Sequence, residues 1–242
     1  MKESVVDVGD LSKRFGKTLA LDNVNFVASQ GNVYGLVGAN GVGKTTLLKH
    51  MLGLYRSETG TVRVFGLDPV AKPVEVLQRI GYMSEDRALP EWMRIDDLMR
   101  YTQAYHPNWD SAYARELLDT FQLDATKRIK ELSKGMRAQT CLIAAVAHRP
   151  DLLIMDEPST GLDAVVRRSS FTLPSLRDWA RAKARWERWI IYCSRWQQFQ
   201  LLPSPWYRGR WTCYGTDNVW LRLISRVLPM GDAVNQLCYC AL

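Results

Sequence analysis

Apolar positions along this chain fall into strand-length runs separated by helix-spaced sets. Val5, Val6 and Val8 open an extended segment, and Leu19, Leu21, Val24 and Phe26 continue it toward the turn Ser29-Gln30-Gly31-Asn32. Val33 to Val37 is an apolar run of strand length, whereas Thr46 to Leu52 spaces apolar residues one helical turn apart until Gly53 stops it. Thr59 to Gly66 reads as a turn, an alternating strand and a second turn; Pro73 to Arg79 is a short helical pattern, and Ile80 to Met83 a short buried strand. From Glu91 to about Lys130 the period is helical, with Leu98, Met99, Tyr101 and Tyr105 in one segment and Tyr113, Leu117, Leu118 and Phe121 in the next. A helix rich in Ala and Leu follows, opened by Ser133 as N-cap and running to His148, and Leu152 to Met155 is another buried strand. Strands alternating with helices predict an α/β fold, in which the helices between about 88 and 137 form an inserted lobe.

The chemistry begins where the Val33–Val37 strand ends. Gly38-Ala39-Asn40-Gly41-Val42-Gly43-Lys44-Thr45 fits the pattern GxxxxGK[ST] at every fixed position, in the strand–loop–helix context that the motif needs. Gly38, Gly41 and Gly43 let backbone N–H groups turn inward around phosphates, and the following helix adds the positive end of its dipole. Lys44 then reaches the β and γ phosphates as a point charge, the Thr45 hydroxyl takes one position on Mg²⁺, and Thr46 supports the phosphates from the next turn.

A second chemical stretch is Leu152-Leu153-Ile154-Met155-Asp156-Glu157, four apolar residues that deliver two carboxylates to the end of a strand. Adjacent buried acids are costly without a cation. Asp156 is therefore expected to hold Mg²⁺ through water and Glu157 to polarise an attacking water. Taken alone, the pair is also compatible with an acidic turn after a core strand. Ser133 and Gly135 expose backbone donors at a helix N-terminus, a weak anion signal by itself because many helices begin with Ser. Phe15, beside Lys13 and Arg14, either stacks on a purine ring or is a half-buried hairpin aromatic.

With those stretches in order, residues about 5 to 163 resemble the ATP-binding subunit of an ABC (ATP-binding cassette) transporter, most like its exporter-type members. Gly38 to Thr46 match Walker A, and Leu152 to Glu157 match Walker B with its catalytic glutamate. Leu132-Ser133-Lys134-Gly135-Met136 looks like the LSGGQ signature, Phe15 takes the aromatic A-loop position, and Leu162-Asp163 closes a D-loop. Glu85 stands where most members carry the Q-loop Gln, which keeps an oxygen ligand for Mg²⁺ and adds charge. The resemblance implies an ABC-type core with an N-terminal antiparallel β subdomain. It also implies ATP and Mg²⁺ as cofactors and a head-to-tail dimer with a second ATP-binding subunit. A transmembrane permease subunit would dock near Arg87, Leu89, Pro90 and Trp92. The nucleotide contacts it carries over are Phe15, Gly38, Asn40, Gly41, Gly43, Lys44, Thr45 and Thr46, with Glu157 and Lys44 catalytic.

Charge and composition then change the picture for the last third. The net charge is +7, but residues 1–164 hold 20 Lys+Arg against 21 Asp+Glu, and residues 165–242 hold 12 against 4. The basic character is thus confined to one end, which removes the case for a nucleic-acid partner. That end also carries seven of the nine Trp and four of the five Cys, without CxxC pairs, so free thiols are expected. No run of 18 apolar residues exists, and the N-terminus lacks a secretory signal's apolar core. The chain is expected to be cytoplasmic, peripheral on the inner face of the cell membrane through the permease. Beyond Asp163 the resemblance fails, and Arg195 occupies the switch-histidine position after the apolar Ile190 to Ser194. We therefore expect an ABC-type domain over 1–163 and an atypical tail over 164–242, incomplete or aberrant as a continuation of the fold. A shifted reading frame is the simplest cause, and a divergent Trp-rich domain the alternative. Three functions compete: an ATPase motor of a transporter, a nucleotide-binding module without turnover, and an ABC ATPase acting on DNA or ribosomes. The last usually carries coiled-coil insertions or a second cassette, neither of which is present, and a GTPase would need an NKxD motif.

Overall fold

The computed structural model describes residues 4–29, 32–38, 40–157, 189–195, 210–216, 219–227 and 236–241. It separates into two compact units, residues 1–77 with 187–242, and residues 78–186.

The first unit contains a three-stranded antiparallel sheet of β1 (Ser4–Phe15), β2 (Thr18–Ser29) and β4 (Thr59–Val64), with β1 in the middle. Its inward face is built by Val6, Val8 and Leu11 of β1, with Leu21, Val24, Phe26 and Ala28 of β2, all buried. The step from Val8 to Leu11, and from Leu21 to Val24, breaks the two-residue period. A bulge absorbs it: Asp10 and Asn23 take left-handed φ of 51° and 49°. The Asn25 side chain locks that bulge, accepting from the Asp10 N–H at 3.0 Å and donating to Asp10 Oδ1 at 3.1 Å.

A second sheet in this unit is built on β3 (Asn32–Gly38), which lies parallel to both β7 (Trp189–Arg195) and β10 (Gln236–Ala241). Antiparallel β9 (Val219–Val227) and β8 (Arg210–Thr216) extend it beyond β10. A frame-shifted tail implied a sheet without late strands. Among the described residues four strands follow residue 188, and two of them flank β3. The helix α1 (Lys44–Met51) buries Leu47, Leu48 and Met51 completely. It ends at Gly53 as expected, where φ is 70° and the N–H groups of Gly53 and Leu54 donate to the carbonyls of His50 and Lys49.

In the second unit β5 (Ile80–Met83) and β6 (Leu152–Asp156) pair in parallel. The helices α3 (Ile95–Gln103), α4 (Ser111–Thr120) and α5 (Lys134–Val146) supply most of its remaining core, joined by Leu123, Ile129 and Leu132 between them. The short helix α2 (Pro73–Leu77) precedes them in the first unit. Buried Cys141, Leu142, Ile143 and Ala145 line α5, and Gly81 lets β5 approach so closely that a Cβ there would land on the Ala145 carbonyl oxygen. His148 fastens the beginning of β5 through a contact of its Nε2 with the Ile80 carbonyl, 3.2 Å long.

Candidate functional site

In the first unit, β3 ends at Gly38, and after the loop through Asn40, Gly41 and Gly43 the chain enters α1 at Lys44, two residues before the apolar spacing predicts. Gly41 and Gly43 both need the left-handed region, at φ 80° and 95°. Gly43 is also hemmed in, since a Cβ would fall on the Ala20 carbonyl oxygen and 2.8 Å from Leu21 Cδ2. The β1–β2 hairpin therefore does fold against this loop, at residues just past the turn that follows Phe15. At its N-terminus α1 has no side-chain cap and no acid in its first turn, while Lys49 and His50 occupy the last. The positive end of its dipole therefore meets no acidic side chain of its own first turn, a setting that suits an anion. Lys44 is buried, Thr45 and Thr46 are half-buried, and Asn40 and Gly41 are exposed.

Phe15 stands at the hairpin end, 44% exposed, edge-on to Tyr55 with 5.4 Å between ring centroids. Tyr55 in turn meets His50 edge-on at 5.7 Å, so the aromatic is braced from α1. Burial holds the His50 imidazole below its ordinary pKa, opposed in part by its hydrogen bond to the Thr46 carbonyl.

The residues matched to a model of the ABC transporter family are 21–160, more than half of the chain and inclusive of both the glycine loop and the acidic strand. The chain belongs to the ABC transporter family, as an ATP-binding domain. It is 31% identical over 70% of its length to the ABC transporter ATP-binding protein YtrB of Bacillus subtilis, of which it covers 58%. It is 36% identical over 67% of its length to the daunorubicin resistance ATP-binding protein DrrA3 of Streptomyces coeruleorubidus, of which it covers 53%. The chain thus spans little more than half of these relatives. A solved structure of an ATP-binding subunit of an ABC transporter superposes with a TM-score of 0.70 at 25% identity, covering 81% of each chain.

The second unit of this ABC domain carries the other expected site residues. Asp156 closes β6 at 1% exposure, and Glu157 follows at 4% with a left-handed φ of 45°. Asp156 Oδ1 is buried with no hydrogen-bond partner among the described residues. A hard cation that takes carboxylate oxygens fits such an atom, which is the chemistry Mg²⁺ demands. Ser133 is the N-cap of α5, its hydroxyl accepting from the Met136 N–H at 3.2 Å. It is exposed, Gly135 is half-buried, and α5 too has no acid in its first turn. Glu85 is half-buried after β5. Asp163, the expected D-loop residue, lies outside the described residues. No helix among the described residues is long and apolar enough to cross a membrane.

Arg87 departs from the expected docking surface. It is 8% exposed at a left-handed φ of 46°, and its Nη2 donates to the Glu157 carbonyl at 3.4 Å. The Trp92 side chain is exposed, at 69%. The His106 and His148 rings stack 3.8 Å apart, a contact that no sequence pattern announces. Their spacing of 42 residues leaves no local pattern to find.

Proposed function

We propose that this ABC domain hydrolyses ATP with Mg²⁺ and so drives a membrane permease. The observation that carries the proposal is the buried pair Asp156 and Glu157 at the end of β6, in a chain that also holds a complete glycine loop ahead of α1. In this reading the loop amides and the α1 N-terminus bind the phosphates, Lys44 offsets their charge, and Thr45 and Asp156 hold the metal, with Glu85 as a further oxygen ligand. Mg²⁺ held there would supply neutralisation of phosphate charge. Glu157 orients the attacking water and takes its proton. Phe15 offers its exposed ring to the base.

The site is completed by a second ATP-binding subunit, whose Ser133 and Gly135 meet the γ-phosphate from the α5 N-terminus and whose Asp163 approaches across the dimer. ABC ATP-binding subunits generally pair with a permease, which would hold this domain at the inner face of the cell membrane. The exposed Trp92, with Leu89 and Pro90, belongs to that contact.

A second reading rests on Arg195. Its backbone is in register with Gly38 across the β7–β3 pair, at the level where the glycine loop begins. An arginine keeps its proton near neutral pH, so a module that binds nucleotide without turnover is the alternative. Phosphate release from Mg-ATP, measured beside a Glu157→Gln variant, decides between them. Turnover well above the variant supports hydrolysis, and turnover equal to it supports the binding module. We propose further that residues 164–242 are a frame-shifted tail, a reading that the Trp- and Arg-rich composition of that end supports and the strands after residue 188 oppose; coding DNA with a family-like strand ending in His in another frame would support it, and no such frame would refute it.

A further inference from the structure

Arg87, 8% exposed, is the one buried arginine among the described residues. Taking a guanidinium out of water is costly, and an apolar side chain would fill the same space without that cost. Its surroundings show what the charge attends to. The turn after β5 closes with the Arg87 N–H donating to the Ser84 carbonyl at 3.3 Å, and Arg87 itself has a left-handed φ of 46°. Burial lowers the guanidinium pKa, offset by the nearby Cys141 of α5 and by Glu85. Burial likewise pushes the Cys141 thiol up to about 11, with Arg87 and Arg137 opposing. The same guanidinium reaches the Glu157 carbonyl. Arg87 therefore joins two segments by hydrogen bonds: its backbone closes the turn that bears Glu85, and its side chain reaches the end of β6.

We propose that Arg87 is a positioning residue that sets the conformation of Glu157, holding its carbonyl so that the residue keeps the left-handed φ with which it leaves β6. The proposal rests on the reading of Glu157 as the residue that activates water, and it adds a link from the Glu85 segment to that residue. Arg87 touches neither phosphate nor metal in this role. Its loss should lower turnover and leave nucleotide binding alone.

The test is Arg87→Met and Arg87→Lys in the full chain, with Glu157→Gln alongside. Arg87→Met is expected to lower kcat about tenfold with KM for ATP changed less than twofold, and Arg87→Lys to recover part of the loss. Amide hydrogen exchange should rise in Arg87→Met at residues 152–157 and stay unchanged at residues 95–103. A purely structural role would raise exchange in both segments. Should Arg87→Met fail to fold, Arg87→Lys, which keeps a buried cation without the planar fork, carries both measurements. A normal kcat, or unchanged exchange at 152–157, overturns the proposal. If the wild type turns over no faster than Glu157→Gln, the catalytic reading fails, and exchange at 152–157 still decides whether Arg87 holds that segment.

Discussion

Gly43→Ala separates two costs that glycines in this loop usually combine. The first is conformational: a residue with a Cβ at φ 95° costs about 1–2 kcal/mol. The second is steric and specific to this position, because the added Cβ meets the Ala20 carbonyl and Leu21 Cδ2, so backbone must move. Overpacking of this kind costs about 1–3 kcal/mol. Gly16 and Gly41 supply the comparison, since both have positive φ, 57° and 80°, with nothing within 4 Å of the position an added Cβ would take. Their alanine variants bear the first cost only. The expected total at Gly43 is therefore about 2–5 kcal/mol, against about 1–2 kcal/mol at Gly16. If the strain stays in the folded state, Gly43→Ala melts at least ~4 °C below the wild type. If the loop relaxes instead, its amides move away from the phosphates and ATP affinity falls about tenfold per 1.4 kcal/mol. Thermal melts and ATP titrations of the three variants check this. A Gly43→Ala protein no worse than Gly16→Ala in both measurements refutes the packing of β2 against the loop.

Asp110 caps α4 by accepting from the Tyr113 N–H at 2.9 Å, and its Oδ2 also accepts from Arg149 Nε and Nη2 at 3.1 and 3.0 Å. Asp110→Ala should cost about 1–2 kcal/mol as cap and half-exposed ion pair are lost together, and Asp110→Asn about half as much, read from melting temperatures. Burial would raise the Asp110 carboxyl, but the Tyr113 amide and Arg149 hold it below its ordinary pKa. Burial holds His106 and His50 below 6.5. The unfolded chain therefore takes up protons first as pH falls through 6.5, so stability is complete above that value and declines toward pH 5. A melting temperature independent of pH between 7.5 and 5 would contradict the burial of these rings, and His106→Phe should flatten the decline.

Much of the phosphate-binding architecture was legible in local pattern. The apolar run before Gly38, the fixed glycines and the stop at Gly53 each follow from neighbours in sequence, and the structure has β3, the loop and α1 where they point. Ser133 was legible as a cap because capping is decided within one turn. Arg87 was misplaced for the opposite reason. Its burial depends on a left-handed turn and on Glu157, 70 residues away, whereas the family resemblance puts it among the residues that dock a permease. The Asp10–Asn23 bulge was equally hidden, since a three-residue step between apolar positions looks like noise until the partner strand shows the same step. The stacked histidines join the end of α3 to the end of α5 and leave no periodic trace.

The proposed hydrolysis, pairing with a second subunit and coupling to a permease all depend on the loop between β3 and α1 being the nucleotide site. Equilibrium titration of ATP into the wild type, Glu157→Gln and Lys44→Ala tests this without relying on turnover or on a permease. Saturable binding of similar affinity is expected in the wild type and Glu157→Gln, and at least about tenfold weaker binding in Lys44→Ala, a loss of roughly 1.4 kcal/mol or more. Equal affinity in all three proteins, or none in the wild type, would contradict a nucleotide site at this loop.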